Sequence, residues 1–208
     1  MQTTRERILS ILKERGQVTV DELSQELGLT AVTVRHHLDI LRGEGLIAPP
    51  RARRRKAPGR PKYVYSMTKQ ASAFFPKRYD QLATALLSEM KEYLSPTEMD
   101  HVIEHIGESI AHQADLPDTG DFETQLIATV EFLNGLGYMA RWEKNEASDY
   151  LLYIANCPYE QVARQDHDIC KVDVKILTLL LGTPPKRTSW AAQGDHQCTY
   201  VVRPPSGW

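Results

Sequence analysis

The sequence lacks the features that mark membrane and secreted proteins. Its apolar runs are all shorter than the ~18 residues that a membrane-spanning helix needs. The first ten residues, MQTTRERILS, have neither the basic start nor the apolar core of a secretory signal. We therefore expect a cytoplasmic protein that does not act on a membrane.

Cysteine is scarce and unevenly placed. The chain has three cysteines among 208 residues and none in the first 156. An odd number argues against a closed set of disulfides, and reduced thiols fit the cytoplasm. All three, Cys157, Cys170 and Cys198, lie near the end of the chain, each beside a carboxylate, a histidine or a turn.

Motifs of catalysis are also missing. The sequence has no Gly-rich phosphate loop, no Ser/His/Asp pattern in a recognisable context and no paired-carboxylate motif. We therefore expect a protein that is not an enzyme, and an enzyme with an appended DNA-binding head is the least favoured interpretation.

The small net charge of −2 conceals an asymmetry. Residues 1–66 carry 13 Lys/Arg and 7 Asp/Glu, whereas residues 67–208 carry 12 and 20. A basic N-terminal part indicates a polyanionic partner, and the acidic remainder indicates a separate task.

The first 45 residues predict three short amphipathic helices. The first spans about Thr3–Glu14, and the second opens with the capping box TVDE at Thr19. A turn at Gly28 and a cap at Thr30 precede the third, about Ala31–Gly43. Two short helices joined by such a turn predict a helix-turn-helix, whose second helix enters the major groove of double-stranded DNA.

The exposed side of the third helix offers a methyl group, hydroxyls, a guanidinium and an imidazole, which suit base edges and phosphates. The candidate DNA-contacting residues on it are Thr30, Val32, Thr33, Arg35 and His36. The adjacent pair His36 and His37 does not predict a metal site, because neighbours on a helix point about 100° apart.

A strongly basic run, RARRRKAPGRPK, follows the helices without one acidic residue. Because it lies between the strand-like segments LIA and KYVYSM, it predicts the loop of a β-hairpin, the wing of a winged helix. Arginines near Gly and Pro suit a minor groove or the DNA backbone. The candidate contacts here are Arg51, Arg53, Arg54, Arg55, Lys56, Arg60 and Lys62.

The sequence as a whole predicts an α+β protein in three parts. Residues 1–68 form the winged helix-turn-helix, and residues 69–117 form central helices that serve dimerisation. Residues 118–208 form a C-terminal α/β sandwich in the order helix–strand–strand–helix–strand–strand. Apolar stripes on the central helices, together with the two half-sites of most such operators, predict a homodimer.

The cysteine spacing, Cys-x12-Cys-x27-Cys, leaves three interpretations open. The residues can be small buried hydrophobes, which is common for free cysteine. They can hold a structural zinc with His196 or an acid as the fourth ligand, although zinc knuckles and ribbons use a Cys-x2–4-Cys clip. They can also converge to bind a cluster. The position of Cys170 in the first turn of a helix predicts a thiolate.

Several motifs together resemble a known family. They are TVRHHLDILRGEGLI, GRPKYVYSMT and FFP, followed by a terminal NCPY…C…LLLG…RTSW…G…C. They resemble the SufR-type iron–sulfur repressors, a branch of the ArsR-like winged-helix regulators. The resemblance implies a 4Fe–4S cluster ligated by Cys157, Cys170 and Cys198, and repression of cluster-assembly genes by the cluster-loaded dimer.

The sequence departs from the four-cysteine members of that family at one place. Near Thr183–Pro185, where those members have a further cysteine, it offers no thiol. The candidates for the fourth ligand are His196, Asp195, His167, Asp168 and an external thiol or water. The alternative function is a regulator of the same architecture that senses a small organic ligand or zinc, with structural cysteines.

Overall fold

The computed structural model shows two compact units, Met1–Lys77 and Arg78–Trp208. It describes residues 3–53, 61–117, 121–146 and 149–205. No helix in these ranges is long and apolar enough to cross a membrane. The division at residues 68 and 117 stays a prediction about function, since the helices assigned to dimerisation lie within the second compact unit.

The first unit is built from three helices and a small sheet. Its elements are α1 Thr4–Arg15, β1 Val18–Thr19, α2 Val20–Leu27, α3 Ala31–Gly43, β2 Arg51–Arg53 and β3 Lys62–Tyr65, followed by a 3₁₀ turn at Gln70–Phe74.

Local side-chain chemistry sets the helix limits in this unit. The predicted capping box of α2 is confirmed, because Thr19 Oγ1 accepts the Glu22 N–H and the Glu22 carboxylate accepts the Thr19 N–H. Helix α2 ends at Gly28, whose φ of 67° lies in the left-handed region that glycine adopts easily. Helix α3 has the predicted bounds and the predicted cap at Thr30.

The sheet of this unit has the order β1-β3-β2, and both pairs are antiparallel. The sequence predicts a wing loop at Arg51–Lys62, but the structure places Arg51–Arg53 in β2 and Lys62 in β3, because these residues pair across the hairpin. The segment LIA, predicted as a strand, forms only one isolated antiparallel bridge, between Ile47 and Met67. Pro49 and Pro50 separate that bridge from β2, because proline has no N–H to donate.

The second unit combines helices with one antiparallel sheet. Its elements are α4 Tyr79–Tyr93, α5 Pro96–Ala111, α6 Phe122–Gly135, β4 Ala140–Lys144, β5 Tyr150–Ile154, α7 Glu160–Ala163, α8 Cys170–Leu181, β6 Lys186–Ser189 and β7 Cys198–Val202. Short 3₁₀ turns lie at His167–Ile169 and Ala191–Gln193. The sheet order is β4-β5-β7-β6.

The core of the second unit lies between the sheet and helices α5, α6 and α8. Alternate residues of β5 and β7 are buried, among them Leu152 and Tyr200. Helix α5 crosses closely over α8 at Gly107, where an added Cβ would lie 2.8 Å from Cβ and Cγ of Lys175. Such an approach leaves no room for a side chain at this position.

Candidate nucleic-acid interface and cysteine site

The N-terminal turn of α3 presents the predicted reading face. Val32 is 74% exposed, and Arg35 and His36 are exposed beside it. Thr30 is engaged in capping, since its Oγ1 accepts the Thr33 N–H at 3.2 Å and lies 2.9 Å from the Thr33 Oγ1. The free groups of this face are therefore one aliphatic, one guanidinium and one imidazole side chain, which suit thymine methyls, guanine edges and phosphates.

A groove separates α3 from the wing strand β3. Arg35 lines it on one side and Lys62 on the other. Lys62 Nζ donates to Asp21 Oδ2 at 2.7 Å, and this hydrogen bond holds the pKa of Asp21 below its usual value. Part of the positive charge of Lys62 is thus compensated within the protein, whereas Arg35 keeps its charge exposed.

The other predicted wing contacts are only partly described by the structure. Arg51 is exposed on β2, and the backbone of Arg53 belongs to the same strand. The Arg53 side chain lies outside the described residues, as do Arg54, Arg55, Lys56 and Arg60. Tyr63 was not among the predicted contacts, yet it is 55% exposed on the wing strand.

The fold brings the three cysteines to one end of the C-terminal sheet. Cys198 begins β7 and pairs in register with Ile154, the last residue of β5. Cys157 follows β5 by three residues, and Cys170 is the first residue of α8. Cys157 and Cys198 line a shared cavity of about 70 Å³ together with His196.

Two of the sulfur atoms accept hydrogen bonds from consecutive residues. Trp190 Nε1–H donates to Cys170 Sγ at 3.4 Å, and the Ala191 backbone N–H donates to Cys198 Sγ at 3.4 Å. Both donors belong to the connection between β6 and β7. Hydrogen bonds from N–H to sulfur stabilise the thiolate form of cysteine.

A buried carboxylate lies among the cysteines. Asp173, one turn along α8 from Cys170, is only 6% exposed. Its Oδ1 accepts the Tyr138 hydroxyl at 2.6 Å, and its Oδ2 accepts the Cys157 thiol at 3.6 Å. Burial raises the pKa of Asp173, although both hydrogen bonds oppose that effect.

Burial opposes the thiolate that the position of Cys170 at the start of a helix favours. Burial raises the pKa of all three thiols, and at Cys170 it outweighs the hydrogen bond from Trp190. The charge of Asp173 raises each of these pKa values further. Binding of a thiophilic metal must therefore displace a proton from each sulfur.

The three cysteines supply the type of ligand that an iron–sulfur cluster uses. Across residues 3–53, 61–117, 121–146 and 149–205, no three His, Cys, Asp or Glu side chains are grouped so as to hold a metal ion. Each cysteine of an iron–sulfur cluster binds a different iron, so its sulfurs lie farther apart than those around one tetrahedral zinc. The three thiols lie at one end of the sheet, and N–H groups donate to Cys170 and to Cys198.

The candidates for a fourth ligand differ in how far they are already engaged. Asp168 accepts ion pairs from Lys91 and Lys171, and Asp195 accepts the Trp190 backbone N–H. The remaining two are histidines: His167 packs against the Trp190 ring, and His196 is exposed beside the cavity of Cys157 and Cys198.

Helix α4 carries an exposed apolar stripe on the second unit. Tyr79, Leu82, Leu86 and Tyr93 recur at heptad spacing and are each more than half exposed. Leu87, about 100° further round the helix than Leu86, is buried in the core of its own unit. Such a stripe is the surface that pairs with a second helix in a coiled-coil seam.

Comparison with known families identifies the first unit in part. Residues 2–48 match the family described as "Bacterial regulatory protein, arsR family". These residues form an ArsR-family helix-turn-helix domain. Comparison with curated proteins finds no match to the chain.

The ArsR-family match covers helices α1 to α3 and supports DNA binding by α3. Regulators of this family are typically DNA-binding proteins without enzymatic activity. The strands β2 and β3 and the whole cysteine site lie beyond the matched residues, and their role is therefore argued from geometry alone.

Sequence reasoning missed Asp173 and Tyr63. The signal for Asp173 is its spacing of three residues from Cys170, which puts both side chains on one face of a helix. The signal for Tyr63 is the alternation in KYVY, where Val64 is buried and Tyr63 must point the other way.

Proposed function

We propose that this protein is a sequence-specific transcription repressor whose operator binding is controlled by an iron–sulfur cluster. Cys157, Cys170 and Cys198 would hold a 4Fe–4S cluster, and the regulated genes would be those of cluster assembly. The observation that carries the proposal is the convergence of all three cysteines of the chain in a unit that accompanies an ArsR-family DNA-binding domain.

DNA recognition in this proposal belongs to the first unit. Helix α3 enters the major groove with Val32, Arg35 and His36, while Arg51 and the basic loop after it contact the backbone or the minor groove. If about six phosphates are neutralised, the logarithm of the binding constant falls with the logarithm of salt concentration at a slope near −5.

Homodimerisation in this proposal uses the stripe of Tyr79, Leu82, Leu86 and Tyr93 on α4. An apolar helix face at heptad spacing is buried most simply against the same face of a second copy. A two-fold symmetric pair also presents two reading helices to an operator with two half-sites.

The cluster, when bound, supplies sensitivity to iron supply and to oxidants. The chain supplies three thiolates and their hydrogen bonds, and the protons leave the sulfurs when the cluster is loaded. Three protein thiolates leave one iron to a weaker ligand, such as His196 or an external molecule. An iron without a protein thiolate would be the one most open to oxidants, which suits a sensor.

A cavity beside Cys170 favours the second candidate function, a regulator that senses a small organic ligand. It has a volume of about 550 Å³ and includes Lys171, Lys175, Arg187 and Trp190 in its lining. Asp100, Glu104 and Asp168 also line this cavity and pair with its two lysines, so Arg187 and Trp190 are the groups that suit an aromatic or anionic molecule. Iron and acid-labile sulfide analysis of the purified protein distinguishes this function from the first.

The proposal is tested by serine substitution of each cysteine in protein purified without oxygen. Cys157→Ser, Cys170→Ser and Cys198→Ser should each remove the cluster and its visible absorption while the first unit stays folded. Thr199→Ser, next to Cys198 on β7, is the matched control and should keep the cluster. A Cys→Ser triple variant that retains iron and sulfide would contradict the assignment.

A further inference from the structure

The motif RTSW, residues 187–190, has no assigned role in the proposed cluster site. In the structure it begins in β6 and ends at Trp190, next to the 3₁₀ turn at Ala191–Gln193. Trp190 and Ala191 each direct one N–H at a cysteine sulfur, to Cys170 and to Cys198 respectively. One short segment therefore contacts two candidate cluster ligands that lie 28 positions apart in the sequence.

The chemistry of these contacts suits a metal-bound sulfur better than a free thiol. An indole N–H is a donor only, and a neutral thiol sulfur is a weak acceptor. A thiolate, free or bound to iron, carries negative charge and accepts the same N–H more strongly. The two donors are thus placed where they gain most when Cys170 and Cys198 are ligands.

The indole of Trp190 has two close neighbours. The guanidinium of Arg187 lies 4.4 Å from the centre of the ring, and the His167 ring lies 5.1 Å away. Arg187 also donates to the Cys170 carbonyl oxygen at 3.0 Å and to the Tyr200 hydroxyl at 3.2 Å. The Trp190 backbone N–H donates to Asp195, which fixes the start of the turn.

We propose that Trp190 and Ala191 form a hydrogen-bonding clamp that sets the reduction potential and the stability of the cluster. The clamp rests on the proposed function, because it acts through sulfurs that ligate iron. Hydrogen bonds to ligand sulfur withdraw electron density from a cluster, so they favour the reduced state and raise the reduction potential. Trp190 is a positioning residue in this account, and Cys170 and Cys198 are the ligands.

The test replaces Trp190 by phenylalanine in the full-length, cluster-loaded protein. Trp190→Phe keeps an aromatic ring beside Arg187 and His167 but removes the N–H donor. Trp142→Phe is the matched control, because Trp142 lies on β4 with its ring against Tyr150, 5.8 Å away between centroids. The midpoint potential and the rate of cluster loss in air are measured for both variants and for the unsubstituted protein.

We expect a more negative midpoint potential for Trp190→Phe and cluster loss about tenfold faster, as for other lost partners of metal ligands. Trp142→Phe should match the unsubstituted protein in both quantities. Equal potentials for all three proteins would overturn the clamp and leave the proposed function intact. An unsubstituted protein that takes up no cluster would overturn both.

A second measurement needs no substitution and covers the case in which Trp190→Phe does not fold. Resonance Raman spectra of the cluster-loaded protein are recorded in H₂O and in D₂O. N–H donors on the ligand sulfurs make the iron–sulfur stretching bands shift on deuteration, and bands that do not shift would contradict the clamp.

Discussion

Arg35 and Lys62 line the same groove but differ in what surrounds their charges. Lys62 is paired with Asp21 at 2.7 Å, whereas Arg35 is exposed on α3, within the residues that match the ArsR family. Removing Arg35 therefore takes away a charge that is available to DNA, and removing Lys62 also releases Asp21. Arg35 is the cleaner test of the reading face.

Arg35→Ala should weaken operator binding by about 1–3 kcal/mol if Arg35 reads a base edge, and should reduce discrimination at that base. The measurement is a binding titration against the operator and against single-base variants of it. Arg203→Ala removes an exposed arginine of the second unit and should leave both quantities unchanged. A uniform loss across all base variants would assign Arg35 to phosphate contact.

The helix caps could be predicted from the sequence, because each depends on groups only three residues apart. The caps at Thr19 and Thr30 depend on groups three residues away, and both are confirmed. The protonation of Cys170 was not predictable in this way, because burial by other elements decides it. Asp173 was missed for the same reason, since its burial depends on Tyr138 and Cys157, which lie on other segments.

At the scale of elements, α4 shows how far an apolar pattern can be interpreted. The spacing of Tyr79, Leu82 and Leu86 predicted one apolar stripe, and periodicity alone does not say whether a stripe faces its own core or a partner. The structure shows this stripe exposed, with Leu87 on the inner side. Exposed apolar side chains in such a row indicate an interaction surface.

Leu82→Glu combined with Leu86→Glu should convert a dimer to a monomer, because four carboxylates would face one another across the two-fold seam. Sedimentation equilibrium gives the mass in solution, and DNA titration should show weaker binding to a two-half-site operator. Leu179→Glu, at another exposed leucine of the same unit, should not change the mass. A double variant that stays dimeric would place the interface elsewhere.

The convergence of the cysteines also arises at this scale. Cys157 and Cys198 come together because β5 pairs with β7, although α7, α8 and β6 lie between them in the chain. The elements themselves were predictable from hydrophobic patterns and turns. The pairing of β5 with β7 was not predictable, since it depends on long-range packing.

At the scale of the whole molecule, helix α4, whose apolar stripe is the proposed dimer surface, is tied to the segment that leads into Cys170. Lys91 forms ion pairs with Asp166 and Asp168, each at 2.7 Å. Burial lowers the pKa of Lys91, but the hydrogen bonds to the two carboxylates outweigh it and the pKa is raised. In the proposed function, these ion pairs are the contact through which a change at Cys170 would reach the apolar stripe of α4.

Lys91→Met should reduce the ratio between the DNA affinities of the cluster-loaded and cluster-free proteins without abolishing either binding. Coupling of this kind is shown by two states that respond to both sites, so both affinities are measured for each variant. Lys144→Met, which breaks the pair with Glu123 on α6, is the control and should keep the full ratio. An unchanged ratio in Lys91→Met would show that the ion pairs of Lys91 do not couple the cysteine site to DNA binding.

The most direct test of the central claim is purification without oxygen, with a visible absorption spectrum and paired iron and acid-labile sulfide assays. Three thiolates on a 4Fe–4S cluster predict a brown protein with about four iron and four sulfide per chain. A protein that stays colourless after reconstitution with iron and sulfide would contradict the claim. The ArsR-family domain would then report a signal bound elsewhere in the second unit.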